Sequence, residues 1–550
     1  MRNKIMVVFI CFLPICLLAQ RTIDTTAITA SSRLLDLSFS ASETDSMLDG
    51  VKENAELYAE LHQLPLPNNL SYPFGFDPRP VGFAIPTKQQ PVNWNIPANV
   101  NVPANRNELA FYSILQLASL VKNKKISSVE LTKFFISRLK KWGDTLECVI
   151  SLTEELALQQ AKQADEEIAK GRYKGPLHGI PYGLKDLFAV KGYKTTWGSV
   201  PYKEQVVDAD AFVYTQLRDA GAVLCAKLTL GELAYNDLWF GGKTRNPWDI
   251  SRGSSGSSAG SASATVAGLL PFTIGTETLG SIVSPSHTCG ATGLRPTFGS
   301  VSRSGAMVLC WSLDKAGPIC RSAEDAAVVF YYLKGADGKD ASAVKRAFNY
   351  TGKAELKKLR IGYISNYFKD IPKNGLQWKV IEKYKELGAN VTAVDFADSL
   401  IYPVNLVGPI LNAESAAAFD ELTRGNGDDL IRRQDKDFWP NSFRVARLIP
   451  AVEYINANRH RSELIEKMNA FIKNYDVLIV PSFAGSQLSI TNLTGHPVVV
   501  FPIGFTEKGL PNSITLIGNL YDEATILAVA KAYQDATDFN KKHPGKFVGH

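Results

Sequence analysis

Cysteine is scarce: the chain has seven among 550 residues. Two of them, Cys11 and Cys16, lie in the first twenty residues. The other five (Cys148, Cys225, Cys289, Cys310 and Cys320) are an odd number, widely spread and mostly in apolar surroundings. No Cys-x-x-Cys pair occurs, so neither a zinc site nor a dithiol redox motif is indicated. A disulfide-stapled scaffold is excluded as well, and the five read as buried thiols. His-Glu-x-x-His is also missing, and nothing else implies a metal or an organic cofactor. Charge of one sign is lacking: 60 basic residues face 54 acidic ones, a net +6. The densest basic run is Lys122, Lys124 and Lys125, an ordinary solvated surface, so no nucleic-acid partner is expected. Past the N-terminus no run approaches the roughly 20 apolar residues that a bilayer-spanning helix needs.

The N-terminus is the exception. Arg2 and Lys4 precede an apolar stretch from Ile5 to Leu18, and Ala19-Gln20 follows as a cleavage zone. This is the order of a secretory signal, shorter than the roughly 20 apolar residues of a span, with cleavage favoured and retention as an anchor left open. Residues 1–20 are therefore expected to be removed, leaving an exported protein, periplasmic or secreted, without a stable membrane span.

Residues 21–107 read as an N-terminal helix and an extended arm. The helix is expected over Ser42–Leu64, opened by Ser42 and Asp45 as a capping box, with Met47, Leu48, Val51, Ala55, Tyr58 and Leu61 at helical spacing. Pro65 to Asn107 is too rich in proline for regular structure and should drape over the main body. From Glu108 onward strands and helices alternate: a helix through "ELAFYSILQLASLVKNKK", a Ser-capped helix through "SSVELTKFFISRLKKW", strands at "AVLCAKL", "LRIGYIS", "DVLIVPS" and "PVVVFPIGF", and a late helix "EATILAVAKAYQDAT". The alternation predicts an α/β fold over 108–540: a large mixed, mainly parallel twisted β-sheet with helices on both faces.

Three stretches look chemical and fail on context. Gly256-Ser257-Ser258-Ala259-Gly260 fits the nucleophile-elbow pattern, which would make Ser258 the nucleophile of a Ser-His-Asp hydrolase with His460 or His496 as partner. The elbow needs an apolar strand just before it, and a polar loop stands there. Gly241 to Thr244 resembles the end of a phosphate loop but has Asp237 where glycine is required. His178 could be a base, though a lone histidine is more often structural.

A fourth signal differs in kind. "LLPFTIGTETLGSIVSP" runs as an apolar strand and turns at Gly275 to present Gly280-Ser281. A serine after a strand end, beside glycine, with successive N–H groups in a tight turn, can combine nucleophile and oxyanion hole. Upstream, Lys185 follows the apolar and glycine residues of "GIPYGLKD". A lysine desolvated there could be a neutral base. At pH 7 neutrality costs about 3.4 pKa units, or roughly 4.6 kcal/mol, which burial among Ile180, Leu184, Leu187 and Phe188 could supply.

Together, "GIPYGLKD" (Gly179 to Asp186), "SGSSAGS" (Ser255 to Ser261) and "GTETLGSI" (Gly275 to Ile282) resemble the amidase signature family. "TRNPWD" (from Thr244), "CGATGLRPT" (from Cys289) and "GPICRSAEDAA" (from Gly317) add to the likeness. The resemblance implies an amidase acting on linear amides through a Ser-cisSer-Lys triad, here in an exported subgroup. Ser281 would be the nucleophile, Ser257 the bridging serine on a cis peptide bond after Gly256, and Lys185 the base. The N–H groups of Thr278, Leu279, Gly280 and Ser281 would form the oxyanion hole, with Ser258 supporting the loop. The Gly-Ser run is then a tight loop entering a close-packed helix rather than a linker. This chain departs from the family pattern at Ser255, Ala259, Leu279 and Val283, which bears on substrate preference. The expected partner is a small-molecule or peptide amide, and a homodimer stays open. The A subunit of a tRNA-dependent glutamine amidotransferase, which shares the triad, is the main alternative. Trp197, Trp239 and Trp311 could form an apolar acyl pocket or be plain core, and residues 353–475 should build much of the pocket.

Overall fold

A computed structural model describes residues 23–65, 67–68, 74–396 and 405–548. The expected signal segment lies outside them. The chain divides into two units, Met1–Pro67 and Asn68–His550.

The first unit holds two helices, Thr25–Leu34 and Ala41–Leu61. The second begins earlier than the sequence suggested. Its capping box is Ser40 with Glu43: the Glu43 N–H donates to Ser40 Oγ (3.3 Å) and the Ser40 N–H donates to Glu43 Oε2 (2.7 Å). Ser42 and Asp45 therefore lie inside the helix. A glutamate reaches back to the cap N–H, which the shorter aspartate does poorly.

The second unit is built on an 11-stranded sheet. In chain order its strands are β1 (Val149–Leu152), β2 (Pro181–Lys185), β3 (Val223–Leu228), β4 (Phe272–Glu277), β5 (Thr292–Arg295), β6 (Lys315–Cys320), β7 (Ile361–Ile364), β8 (Val391–Val394), β9 (Val477–Pro481), β10 (Val498–Phe505) and β11 (Pro511–Gly518). Across the sheet they lie in the order β1-β3-β2-β4-β6-β5-β10-β11-β9-β7-β8. The sheet is mixed, as anticipated. Parallel pairing joins β3, β2 and β4 on one side and β9, β7 and β8 on the other. Between these blocks the strands pair antiparallel. β5, β6 and β11 belong to that middle, and the small and polar residues that interrupt them gave no strand signal.

Successive residues of β10 enter different cores. Val498 and Val500 belong to one, Val499, Phe501 and Ile503 to the other. The same split divides Val477 and Ile479 from Leu478 and Val480 on β9. Burial on both faces is why these strands read as continuous apolar runs. Helix Ser128–Leu146 starts at a capping box of Ser127 and Glu130, as the serines suggested. The single helix expected through "ELAFYSILQLASLVKNKK" is broken. A 3₁₀ turn at Arg106–Phe111 precedes helix Ile114–Lys122, whose cap is Ser113 with Gln116.

From residue 74 to Asn105 the chain has no regular secondary structure. It is fastened by its own polar groups. Pro86 O accepts from the Ala347 N–H (2.7 Å), Gln89 exchanges two hydrogen bonds with the Phe348 backbone (2.9 Å each), and Val100 O accepts from Lys125 Nζ (2.7 Å). Prolines leave such carbonyls unpaired locally, so they seek partners elsewhere.

Candidate active site

The parallel pair β2 and β4 sets the site. Tyr182 faces Phe272 and Leu184 faces Ile274, so both strands end at the same edge. Lys185 is the last residue of β2, and the "GTETLGS" turn leaves the end of β4. Between these strands in sequence, helix Ala259–Val266 starts beside that edge, and all of its residues are buried. Its small side chains allow this. A Cβ on Gly260 would stand 2.5 Å from Thr229 Oγ1 and 2.6 Å from Cys148 O.

The opening loop of that helix is equally tight. The Gly256–Ser257 peptide bond is cis. A Cβ on Gly256 would fall 1.8 Å from Asn236 O, so only glycine fits. The Ser258 N–H donates to Ser281 O (3.1 Å), which ties the loop to the turn after β4, and the Gly231 N–H donates to Ser257 O (3.3 Å), which ties it to the segment after β3.

Lys185 is fully buried. Its Nζ lies 2.8 Å from Ser257 Oγ, 3.1 Å from Ser258 Oγ and 2.9 Å from Thr276 Oγ1. Burial holds its pKa well below that of an ordinary lysine, while Asp314 and Glu277 pull the other way. The hydroxyl of Ser258 is fully engaged: it donates to Thr276 O (3.0 Å) and accepts from the Thr276 N–H (3.1 Å).

Ser281 is 7% exposed, at the end of the turn. Gly280 before it has a φ of 87°, the left-handed region that glycine tolerates. Among the described residues no backbone carbonyl takes up the N–H groups of Leu279, Gly280 or Ser281. Glu277 fixes the turn from below. Its Oε2 accepts from the N–H groups of Ile282 (2.9 Å) and Val283 (3.0 Å), and its Oε1 from Arg295 Nη1 (2.8 Å) and Asn492 Nδ2 (3.0 Å). Against the opposing effect of burial, Arg295, Lys315 and these donors bring its pKa down to about 2. Thr276 and Glu277 stood inside a quoted motif, but their side-chain roles depend on partners far away in sequence.

A cavity of about 450 Å³ opens on Ser281. Tyr235, Phe438, Trp439, Phe483, Leu279 and Leu488 supply most of its apolar wall. Residues 353–475 contribute Leu411, Asn412, Asp437, Phe438, Trp439 and Ser442, as expected of that region. The three tryptophans singled out from sequence are not in this wall. Trp197 packs on Tyr202 and Phe419, Trp239 on Phe240, and Trp311 lines a separate, smaller cavity. Periodicity could not rank tryptophans by a pocket assembled from distant loops.

The three candidate histidines stand apart. His178 precedes the start of β2, the opposite end from Lys185, where its Nε2 is 3.2 Å from Glu167 and its Nδ1 accepts from the Lys174 N–H. His496 is buried against Thr494, and His460 lies at the surface near Glu463. None joins Ser258, so the elbow reading fails on geometry. All five described cysteines are buried free thiols. Among the described residues no helix is long and apolar enough to cross a membrane, and no cluster of three metal-ligating side chains occurs.

The amidase family profile matches residues 130–527. This chain belongs to the amidase family. It is the family that the three motifs anticipated, and the enzyme class is that of an amidohydrolase. The amidase is 33% identical over 485 residues to the A subunit of glutamyl-tRNA(Gln) amidotransferase from Coxiella burnetii (strain Dugway 5J108-111), covering 78% of this chain and 99% of the relative. The corresponding protein of Thioalkalivibrio sulfidiphilus (strain HL-EbGR7) is 32% identical over 481 residues, 79% of this chain and 99% of the relative. The crystal structure of native peptide amidase from Stenotrophomonas maltophilia superposes with a TM-score of 0.70 at 29% identity, covering 78% of this amidase and 98% of that chain.

Proposed function

We propose that this amidase hydrolyses carboxylic amide C–N bonds through an acyl-enzyme on Ser281. The observation that carries the reading is the buried contact of Lys185 Nζ with Ser257 Oγ, 2.8 Å, beside a turn whose residues 278–281 line a cavity. Neutral Lys185 takes the proton of Ser257, which takes that of Ser281 as Ser281 Oγ attacks the carbonyl carbon. The oxyanion is held by the N–H groups of residues 278–281. The proton returns through Ser257 to the leaving nitrogen, the C–N bond breaks, and water hydrolyses the ester. The lining favours substrates with an apolar or aromatic part. Its charged member is Asp437, and neither lysine nor arginine is among the described lining residues. Turnover across aryl, fatty and peptide amides, with mass detection of an acyl group on Ser281, tests the proposal. Activity without a Ser281 adduct counts against it.

The curated relatives support a second reading more directly than this one: the A subunit of a glutamyl-tRNA(Gln) amidotransferase. Glutamine brings an α-carboxylate, and the described lining offers it no cationic side chain. Glutaminase activity exceeding that on every other amide would decide for the second reading.

We also propose export, on the strength of the basic and apolar segments of residues 1–20. N-terminal sequencing of the mature protein tests it. A mature chain that keeps Met1 counts against removal of this segment.

A further inference from the structure

The antiparallel pairing of β4 with β6 sets Lys315 opposite Glu277. The residues just beyond, Asp314 and Thr278, therefore meet: Thr278 Oγ1 donates to Asp314 Oδ1 at 2.6 Å. The other oxygen, Oδ2, accepts from the N–H groups of Leu309 (2.8 Å) and Cys310 (3.0 Å). Three donors thus orient a carboxylate that lines a small cavity of about 100 Å³, together with Thr276 and Thr278. Thr276 Oγ1 also contacts Lys185 Nζ (2.9 Å). Two acidic groups act on Lys185, Asp314 and Glu277. Glu277 is neutralised by its ion pair with Arg295. Arg303, which faces Asp314, is paired with Asp340. Among the described residues Asp314 has hydrogen bonds but no ion pair, so its charge is the less compensated of the two. Cys310 and Lys315 are its remaining titratable neighbours, and burial keeps the Cys310 thiol protonated.

We propose that Asp314 is a positioning residue for the reaction: it anchors Thr278 at the start of the oxyanion turn and, lining the same cavity as the Lys185 partner Thr276, directs toward that lysine a negative charge that no ion pair holds. This rests on the acyl-enzyme reading above. The anchor keeps the turn from collapsing onto Ser281, and the charge stabilises the lysine when it carries the proton of Ser257. Burial raises the pKa of Asp314, and the three donors together with the Arg303 charge oppose that rise.

The test is the pH profile of kcat/KM on one neutral aryl amide for the full chain. With Asp314→Asn the ammonium of Lys185 loses a stabilising charge, so its limb moves to lower pH, by about one unit, and the plateau falls about tenfold. With Thr278→Val the plateau falls while the limb stays in place. Thr278→Ser, which keeps the hydroxyl, recovers most of that loss. A limb unmoved in a folded Asp314→Asn variant overturns the inference, as does a Thr278→Val variant equal to wild type. If Asp314→Asn fails to fold, the Val and Ser variants decide: an equal loss in both overturns it. A wild type inactive on every amide removes the proposed function as well, whereas an active one with unaffected variants removes this inference alone.

Discussion

Lys185 Nζ lies 2.8 Å from Ser257 Oγ and 3.1 Å from Ser258 Oγ, yet only the first hydroxyl has its proton free of other duties. Ser258 gives its hydrogen to Thr276 O and holds the Thr276 N–H. Ser257→Ala should therefore lose several orders of magnitude in kcat/KM, and Ser258→Ala distinctly less. The comparison is made on a single amide. A larger loss at Ser258 would move the relay by one residue.

Ser281→Ala should abolish turnover and leave the fold intact. The side chain is small and ends a turn already held by Glu277 through the Ile282 and Val283 N–H groups. Circular dichroism should match wild type, with activity down about a thousandfold or more. Residual activity above a tenth would exclude Ser281 as nucleophile.

The depressed pKa of Lys185 makes two predictions with signs. As a base it must be neutral, so kcat/KM should rise with pH through the depressed value. In stability, the unfolded chain binds the lysine proton more readily than the native one. Between the depressed value and about 10.4 the contribution of this group should therefore rise with pH, and its cost is full below that window. Lys185→Met should abolish activity yet raise Tm at neutral pH. A mutant less stable than wild type at pH 7 would mean that the buried amine is better satisfied than its burial suggests.

Glu277→Gln should be costly without touching the reacting groups. It leaves Arg295 buried and unpaired, with Lys315 close by. Breaking one partner of such a pair costs about 3–5 kcal/mol. Urea denaturation should show a lower midpoint, and kcat should fall because the turn loses its support. An unchanged midpoint would show that Arg295 finds another acceptor.

Much of this was legible because local chemistry repeats a local need. Gly256 and Gly260 sit where any side chain would collide with backbone, so a run of Gly, Ser and Ala is the only composition that fits. Strands β3, β9 and β10 announced themselves as apolar runs because both of their faces are buried. Capping serines marked helix starts, although in the first unit the pair was two residues upstream of the one expected.

What the sequence determined by itself was the set of candidate reactive groups: a lysine in a Gly-rich apolar motif, a small-residue loop, and a serine after a strand end. Their assembly needed the parallel register of β2 and β4, which brings residues 185 and 281 to one edge. The tertiary structure also decided which groups face them. Asp314 meets Thr278 through a strand pair invisible in the chain order, and the cavity wall takes Phe438, Trp439 and Phe483 rather than the tryptophans near the motifs. Sequence periodicity reports which side of its own element a residue occupies. Which element lies opposite is fixed only when the sheet closes its long-range pairs.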